Sequence, residues 1–217
     1  MLTNKKHVFW QAFFLTALFF LLGIVFGIYL EQSRADSLNT EFFESEASLY
    51  DSFALGNVIK DSSQSCDVLK DYSVNFADDV YEKARDLEQF DESNKLTDSV
   101  KAIHKKYDSL RTLLWMNIIS LKESCDGVNT VVYLYNYETS DIEMKSQQSV
   151  WSKILSDLKQ EEGNDIILIP VAADQGVTSL DFLMNKYDVQ SLPAVVINEE
   201  DVFYEHRTAE ELKVFLD

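Results

Sequence analysis

The sequence predicts an α/β protein in three parts: a transmembrane helix, an α-helical hairpin stalk and a C-terminal α/β domain. An uncharged apolar run lies near the N-terminus, the next segment carries apolar side chains at helical spacing, and strand-like runs then alternate with helical ones. The expected boundaries are 1–7 for a cytoplasmic lead, 8–30 for the membrane helix, 31–127 for the helical stalk and 128–217 for the last domain.

The membrane helix is predicted from residues 8–30, which are 23 residues without a charge. At about 1.5 Å per residue such a helix reaches roughly 34 Å and crosses a bilayer core. Lys5 and Lys6 precede the run and acidic residues dominate after it, so we expect a cytoplasmic N-terminus and an extracytoplasmic remainder. A cleaved signal peptide is the alternative, although its apolar stretch is shorter, about 7 to 15 residues.

The charge of the chain limits its partners. A formal net charge of −18 repels the phosphates of nucleic acids, so we expect no nucleic-acid partner. The partners that the sequence does indicate are membrane lipid around residues 8–30 and, through a coiled-coil-like stalk, a second copy of the chain.

The stalk is predicted to fold back on itself. Residues 31–126 contain no proline and one glycine, and helices are expected over 37–53, 65–90 and 96–125. Only residues 91–95 separate the two longer helices, which favours an antiparallel hairpin.

Cys66 and Cys125 are the two cysteines, and both lie on the apolar stripes of the hairpin helices. The residue midway between them lies at the edge of the predicted turn, so an antiparallel register places them opposite each other. We expect a structural disulfide at the open end of the hairpin, because disulfides persist outside the cytoplasm. Two alternatives stay open: a redox-active pair, which needs an exposed thiolate of lowered pKa, and two free thiols in a reducing compartment.

The C-terminal domain is predicted to contain four strands and three helices. In chain order these are strand 128–135, helix 146–161, strand 165–174, helix 179–187, strand 194–198, strand 202–206 and helix 209–216. A helical crossover between the first two strands favours a parallel pair, and the acidic turn at 199–201 favours a closing hairpin. Thr208 and Glu211 match a capping box for the last helix.

One segment of this domain carries a family resemblance. The stretch from Tyr187 to Ile197, YDVQSLPAVVI, resembles the thioredoxin-family segment in which a Tyr-x-Val approach leads to a cis-proline and the third strand. The resemblance covers residues 129–217 and implies a thioredoxin-like βαβαββα fold. The whole layout also resembles membrane-anchored archaeal proteins with a helical stalk and a thioredoxin-like head.

The sequence departs from that family at its reactive motif. Active members carry Cys-x-x-Cys where the first strand meets the first helix, since a helix N-terminus lowers the pKa of the attacking thiol. Here residues 136–145 contain no cysteine, and Asp141-Ile142-Glu143-Met144 occupies the motif's place. We therefore expect a head without thiol–disulfide exchange and without a catalytic residue.

No other catalytic or metal-binding pattern is present in the sequence. The histidines are spread over the three parts of the chain and are expected at the surface: His7, His104 and His206. The acidic group near the first strand's end is expected to stay solvated rather than hold a cation: Glu138, Asp141 and Glu143. We expect no cofactor and no metal.

The leading interpretation is a membrane-tethered binding or scaffolding module. By resemblance, Tyr137, Leu192 and Pro193 line a groove where the backbone before the proline pairs with an extended peptide or an envelope protein. A groove that binds nothing fits the sequence equally well. The alternative function is a thiol–disulfide oxidoreductase or redox relay that uses Cys66 and Cys125, and a third is oligomerisation through the stalk.

Overall fold

The computed structural model describes residues 5–58, 64–91, 98–123 and 125–216. The chain forms two compact units, residues 1–41 and 42–217. The domain boundary predicted between residues 127 and 128 stays a prediction.

Helix α1, Lys5–Val58, begins in the first unit. Its stretch His7–Leu30 is the one helix of the described residues that is long and apolar enough to cross a membrane, and its side chains are exposed. The predicted helix at 37–53 is not a separate element, since α1 continues through it to Val58. Residues 28–55 contain neither proline nor glycine, so nothing in that stretch ends the helix.

Helices α2, Gln64–Asp91, and α3, Asp98–Lys122, pack against each other and against the second strand. Both match the predicted helices closely. Most of the predicted turn at 91–95 lies outside the described residues. The hairpin helices therefore contribute to the same compact unit as the sheet.

The remaining elements follow in the predicted order. They are β1 Asn129–Tyr135, α4 Ile142–Glu162, β2 Ile166–Ala172, α5 Thr178–Lys186, β3 Ala194–Ile197, β4 Asp201–Phe203 and α6 Ala209–Lys213. A short 3-10 turn, Gly163–Asp165, joins α4 to β2. The capping box of the last helix is confirmed, because Thr208 and Glu211 each accept a hydrogen bond from the other's backbone N–H.

The four strands form one mixed sheet in the order β2-β1-β3-β4. β1 and β2 are parallel and β3 and β4 form an antiparallel hairpin, as predicted. β3 also pairs with β1, in the antiparallel direction. Alternation along β1 points Val131 and Tyr133 to the face that α4 and α6 cover. The opposite face carries Thr130, to which Lys122 of α3 donates a hydrogen bond.

Candidate functional site

The candidate site lies along the edge of the sheet that is formed by strand ends, where β1 and β2 end and β3 begins. Leu134 of β1 lies opposite Ala194 of β3, so the residues just before Ala194 lie level with the chain that leaves β1. The peptide bond between Leu192 and Pro193 is cis. The fold therefore brings the three predicted groove residues, Tyr137, Leu192 and Pro193, to one edge of the sheet.

The backbone of Leu192 is available at this edge. Pro193 is buried, whereas Leu192 is partly exposed. Within the described part of the chain, neither the N–H nor the carbonyl oxygen of Leu192 has a hydrogen-bonding partner. Two hydrogen bonds hold the preceding loop, residues 188–190, against Tyr204. The Gln190 N–H donates to Tyr204 Oη at 2.8 Å, and that hydroxyl donates to the Asp188 carbonyl at 3.3 Å.

The loop after β1 is held by a carboxylate from the loop after β2. The Tyr137 N–H donates to Asp174 Oδ1 at 2.8 Å, and the Glu138 N–H donates to Asp174 Oδ2 at 3.0 Å. Because the carboxyl ends of parallel strands meet at one edge, a single Asp174 side chain reaches both amides. This pair of bonds fixes where Tyr137 leaves the sheet.

Helix α3 packs a buried histidine against Tyr137. The His104 and Tyr137 rings lie with their centroids 3.8 Å apart, and His104 Nδ1 is 2.9 Å from Asp108 Oδ2. The expectation that His104 is a surface residue is wrong, since its side chain is fully buried. His7 and His206 are exposed, as expected.

Asp108 anchors the end of β2 and is not among the residues predicted for the site. Asp108 is fully buried, and its Oδ1 accepts from the Ala172 N–H at 3.1 Å and from Arg111 Nη1 at 3.4 Å. The signal that points to it is the spacing of His104, Asp108 and Arg111, four and three residues apart, which puts all three on one side of α3. Charged residues along one buried side of a helix indicate a polar network at a packed edge.

The junction between β1 and α4 contains no thiol. Asp141 caps α4 by accepting from the Glu143 N–H at 2.9 Å, and Glu138 forms an ion pair with Lys101 at 2.5 Å. The Asp141 carboxylate therefore caps α4, and the Glu138 carboxylate pairs with a lysine. Across the described ranges, no group of three or more His, Cys, Asp or Glu side chains is placed to hold a metal ion.

The predicted disulfide between Cys66 and Cys125 is confirmed. The two sulfur atoms are 1.99 Å apart and the two Cα atoms 5.6 Å apart. Cys125 is 6 % exposed. The bond joins the start of α2 to the segment that follows α3, which is the open end of the hairpin.

The architecture defines the class as a mixed α/β protein with an N-terminal apolar helix. No protein-family model matches the chain, and no curated protein matches its sequence. Its function is therefore inferred from the residues of the site.

Proposed function

We propose that the chain is a membrane-tethered module that binds an extended peptide at the edge formed by residues 191–193, with Tyr137 beside it. The observation that carries this proposal is the backbone of Leu192, whose N–H and carbonyl groups have no partner among the described residues. A peptide strand that supplies one acceptor and one donor would satisfy both groups by strand addition.

The surroundings of Leu192 favour a pre-formed site over a loose loop. Gln190 on one side is fixed by Tyr204, and Ala194 on the other begins β3. The short segment between them therefore needs little ordering when a peptide arrives, which lowers the entropic cost of binding. The partly exposed side chains of Tyr137 and Leu192 offer apolar contact to alternate residues of the peptide.

The element order and the mixed sheet support a thioredoxin-like assignment for residues 129–217. Binding fits this chain better than thiol exchange. The place of the reactive motif has no cysteine thiol, and the chain's two cysteines are bonded to each other with Cys125 buried. The redox-relay alternative would need that bond to open readily to an external thiol.

The proposed membrane tether is the apolar stretch of α1 in the first unit. An exposed apolar helix over His7–Leu30 is suited to lipid, and the basic residues before it favour a cytoplasmic N-terminus. That orientation places the second unit outside the cytoplasm, where a disulfide between Cys66 and Cys125 persists.

The test is selection from a displayed library of random peptides against the full chain in lipid nanodiscs. Selected peptides should bind the wild type and Val214→Arg equally, and should lose affinity for Leu192→Arg. Val214 is the matched control because it is an exposed apolar residue, 71 % accessible, just after α6. Equal binding to both variants would contradict a site at Leu192.

A second readout distinguishes backbone pairing from side-chain contact alone. A selected peptide is resynthesised with single backbone N-methyl groups, each of which removes one donor. At a net 0.5 to 1.5 kcal/mol for each hydrogen bond, the methyl group on the paired amide should weaken binding by about two- to tenfold, and neighbouring positions should weaken it less. A uniform response along the peptide would argue against strand addition.

A further inference from the structure

A separate cleft of about 540 Å³ lies between α2, α4 and the face of the sheet that carries Tyr133 and Tyr135. Cavities of roughly 300 to 1,000 Å³ are typical of small-molecule sites. The residues that line it do not include Tyr137, Leu192 or Pro193, so this cleft is distinct from the proposed peptide edge.

The lining of this cleft is cationic. It contains Arg85, Arg111 and Lys145, and no aspartate or glutamate is among the described residues that line it. In a chain with a formal net charge of −18, such a grouping runs against the overall composition. Neither Arg85 nor Lys145 forms an ion pair with any residue that the structure describes, so their charges are available to a ligand.

Arg111 is a buried cation in the wall of the cleft, placed to bind an anionic group. The residue is almost fully buried, at 4 % exposure, and forms part of the cleft wall. Its bond to Asp108 is long, 3.4 Å, and that carboxylate also accepts from Ala172. A guanidinium carries five N–H donors, so most of the capacity of Arg111 remains for an oxyanion, which it can bind with two parallel bonds.

The rest of the lining combines aromatic and apolar walls with hydroxyls. The Tyr133 and Tyr135 rings stack with centroids 5.4 Å apart, and Leu168 and Pro170 of β2 lie beside them. Burial raises the pKa of Tyr133, whose hydroxyl donates to the Gln148 carbonyl at 3.1 Å, so this phenol stays neutral. Three hydroxyls of α4 line the same wall: Ser149, Ser152 and Ser156.

We propose that this cleft binds a small amphipathic anion, an aromatic molecule that bears a phosphate or carboxylate group. The acidic group lies against Arg111, Arg85 and Lys145, and the aromatic body lies against Tyr133 and Tyr135. The site does not depend on the proposed peptide edge, so either can fail without the other.

The experiment measures binding by calorimetry to the full chain in zwitterionic nanodiscs, with empty nanodiscs as the blank. The probes are 1-naphthyl phosphate, its neutral counterpart 1-naphthol, and inorganic phosphate. We expect naphthyl phosphate to bind at least about tenfold more tightly than either of the others, because only it engages both the cations and the rings. Equal affinity for naphthol, or no binding of naphthyl phosphate, overturns the proposal.

Two variants test the residues. The double replacement Arg85→Met and Lys145→Met removes two charges that have no structural ion pair, and should weaken naphthyl phosphate binding by at least about tenfold. Lys153→Met is the matched control, because Lys153 is an exposed lysine of the same helix outside the lining. Circular dichroism is used to check that both variants fold. An unchanged affinity in the double variant, or an equal loss in the control, counts against the cleft.

Discussion

Replacing Cys66 and Cys125 by alanine removes the covalent link between the start of α2 and the segment after α3. The bond joins residues 59 positions apart and so closes a loop of about 60 residues. In the chain-entropy treatment, releasing such a loop in the unfolded state lowers the free energy of unfolding by about 4 kcal/mol. That is a large share of the roughly 5 to 15 kcal/mol that stabilises a typical domain.

The assay is urea unfolding of the full chain in detergent, followed by tryptophan fluorescence. Trp115 and Trp151 are fully buried in the second unit, so both report its unfolding. The double alanine variant should unfold at a lower urea concentration than the wild type, and reduced wild type should match the variant. A loss below about 1 kcal/mol would refute the view that the bond constrains this unit.

Three further changes probe the packed edge and the last helix. Asp108→Ala should lower the free energy of unfolding by about 3 to 5 kcal/mol, measured in the same urea assay, because it leaves the Ala172 N–H and the buried Arg111 without their carboxylate; a loss near zero would contradict this. Thr208→Ala should cost about 1 kcal/mol by removing the cap of α6, with Ser at the same position as the near-neutral control. Hydrogen bonds from the Thr208 backbone and side chain lower the pKa of Glu211 below its ordinary 4.5. The ionised carboxylate therefore stabilises the fold above pH 4.5, and this stabilisation is lost as the pH falls through the pKa of Glu211 in the folded state. The stability difference between wild type and Glu211→Gln should therefore shrink below pH 4.5, and a difference that grows on acidification would contradict the assignment.

The periodicity of the sequence predicted most of the elements. Helix spacing placed α2 and α3 to within about two residues, apart from the end of α3. Runs of β-branched, aromatic and apolar residues placed the four strands. The disulfide was predictable because residues that face each other in a hairpin lie at equal distances from the turn, and Cys66 and Cys125 meet that condition. The parallel β1–β2 pair and the β3–β4 hairpin were predicted from the connections between those strands.

Contacts between distant segments were not predictable in this way. The burial of His104 depends on Tyr137 packing against it and on Asp108 meeting the end of β2. The spacing of residues along α3 puts His104 and Asp108 on one side of the helix, but it does not show what that side contacts. The continuity of α1 was missed because the change from apolar to acidic composition after residue 30 resembles a boundary, although no residue there breaks a helix. The cationic cleft combines side chains from three helices and two strands, so it exists only in the folded chain.

The central claim is that the backbone of Leu192 pairs with a bound peptide. Amide hydrogen exchange at Leu192, measured by NMR on the full chain in nanodiscs with and without a selected peptide, tests it most directly. Because a new backbone hydrogen bond protects the donor, exchange at Leu192 should slow by at least about tenfold on binding, while exchange at Val214 stays unchanged. A saturating peptide that leaves exchange at Leu192 unchanged would contradict the claim.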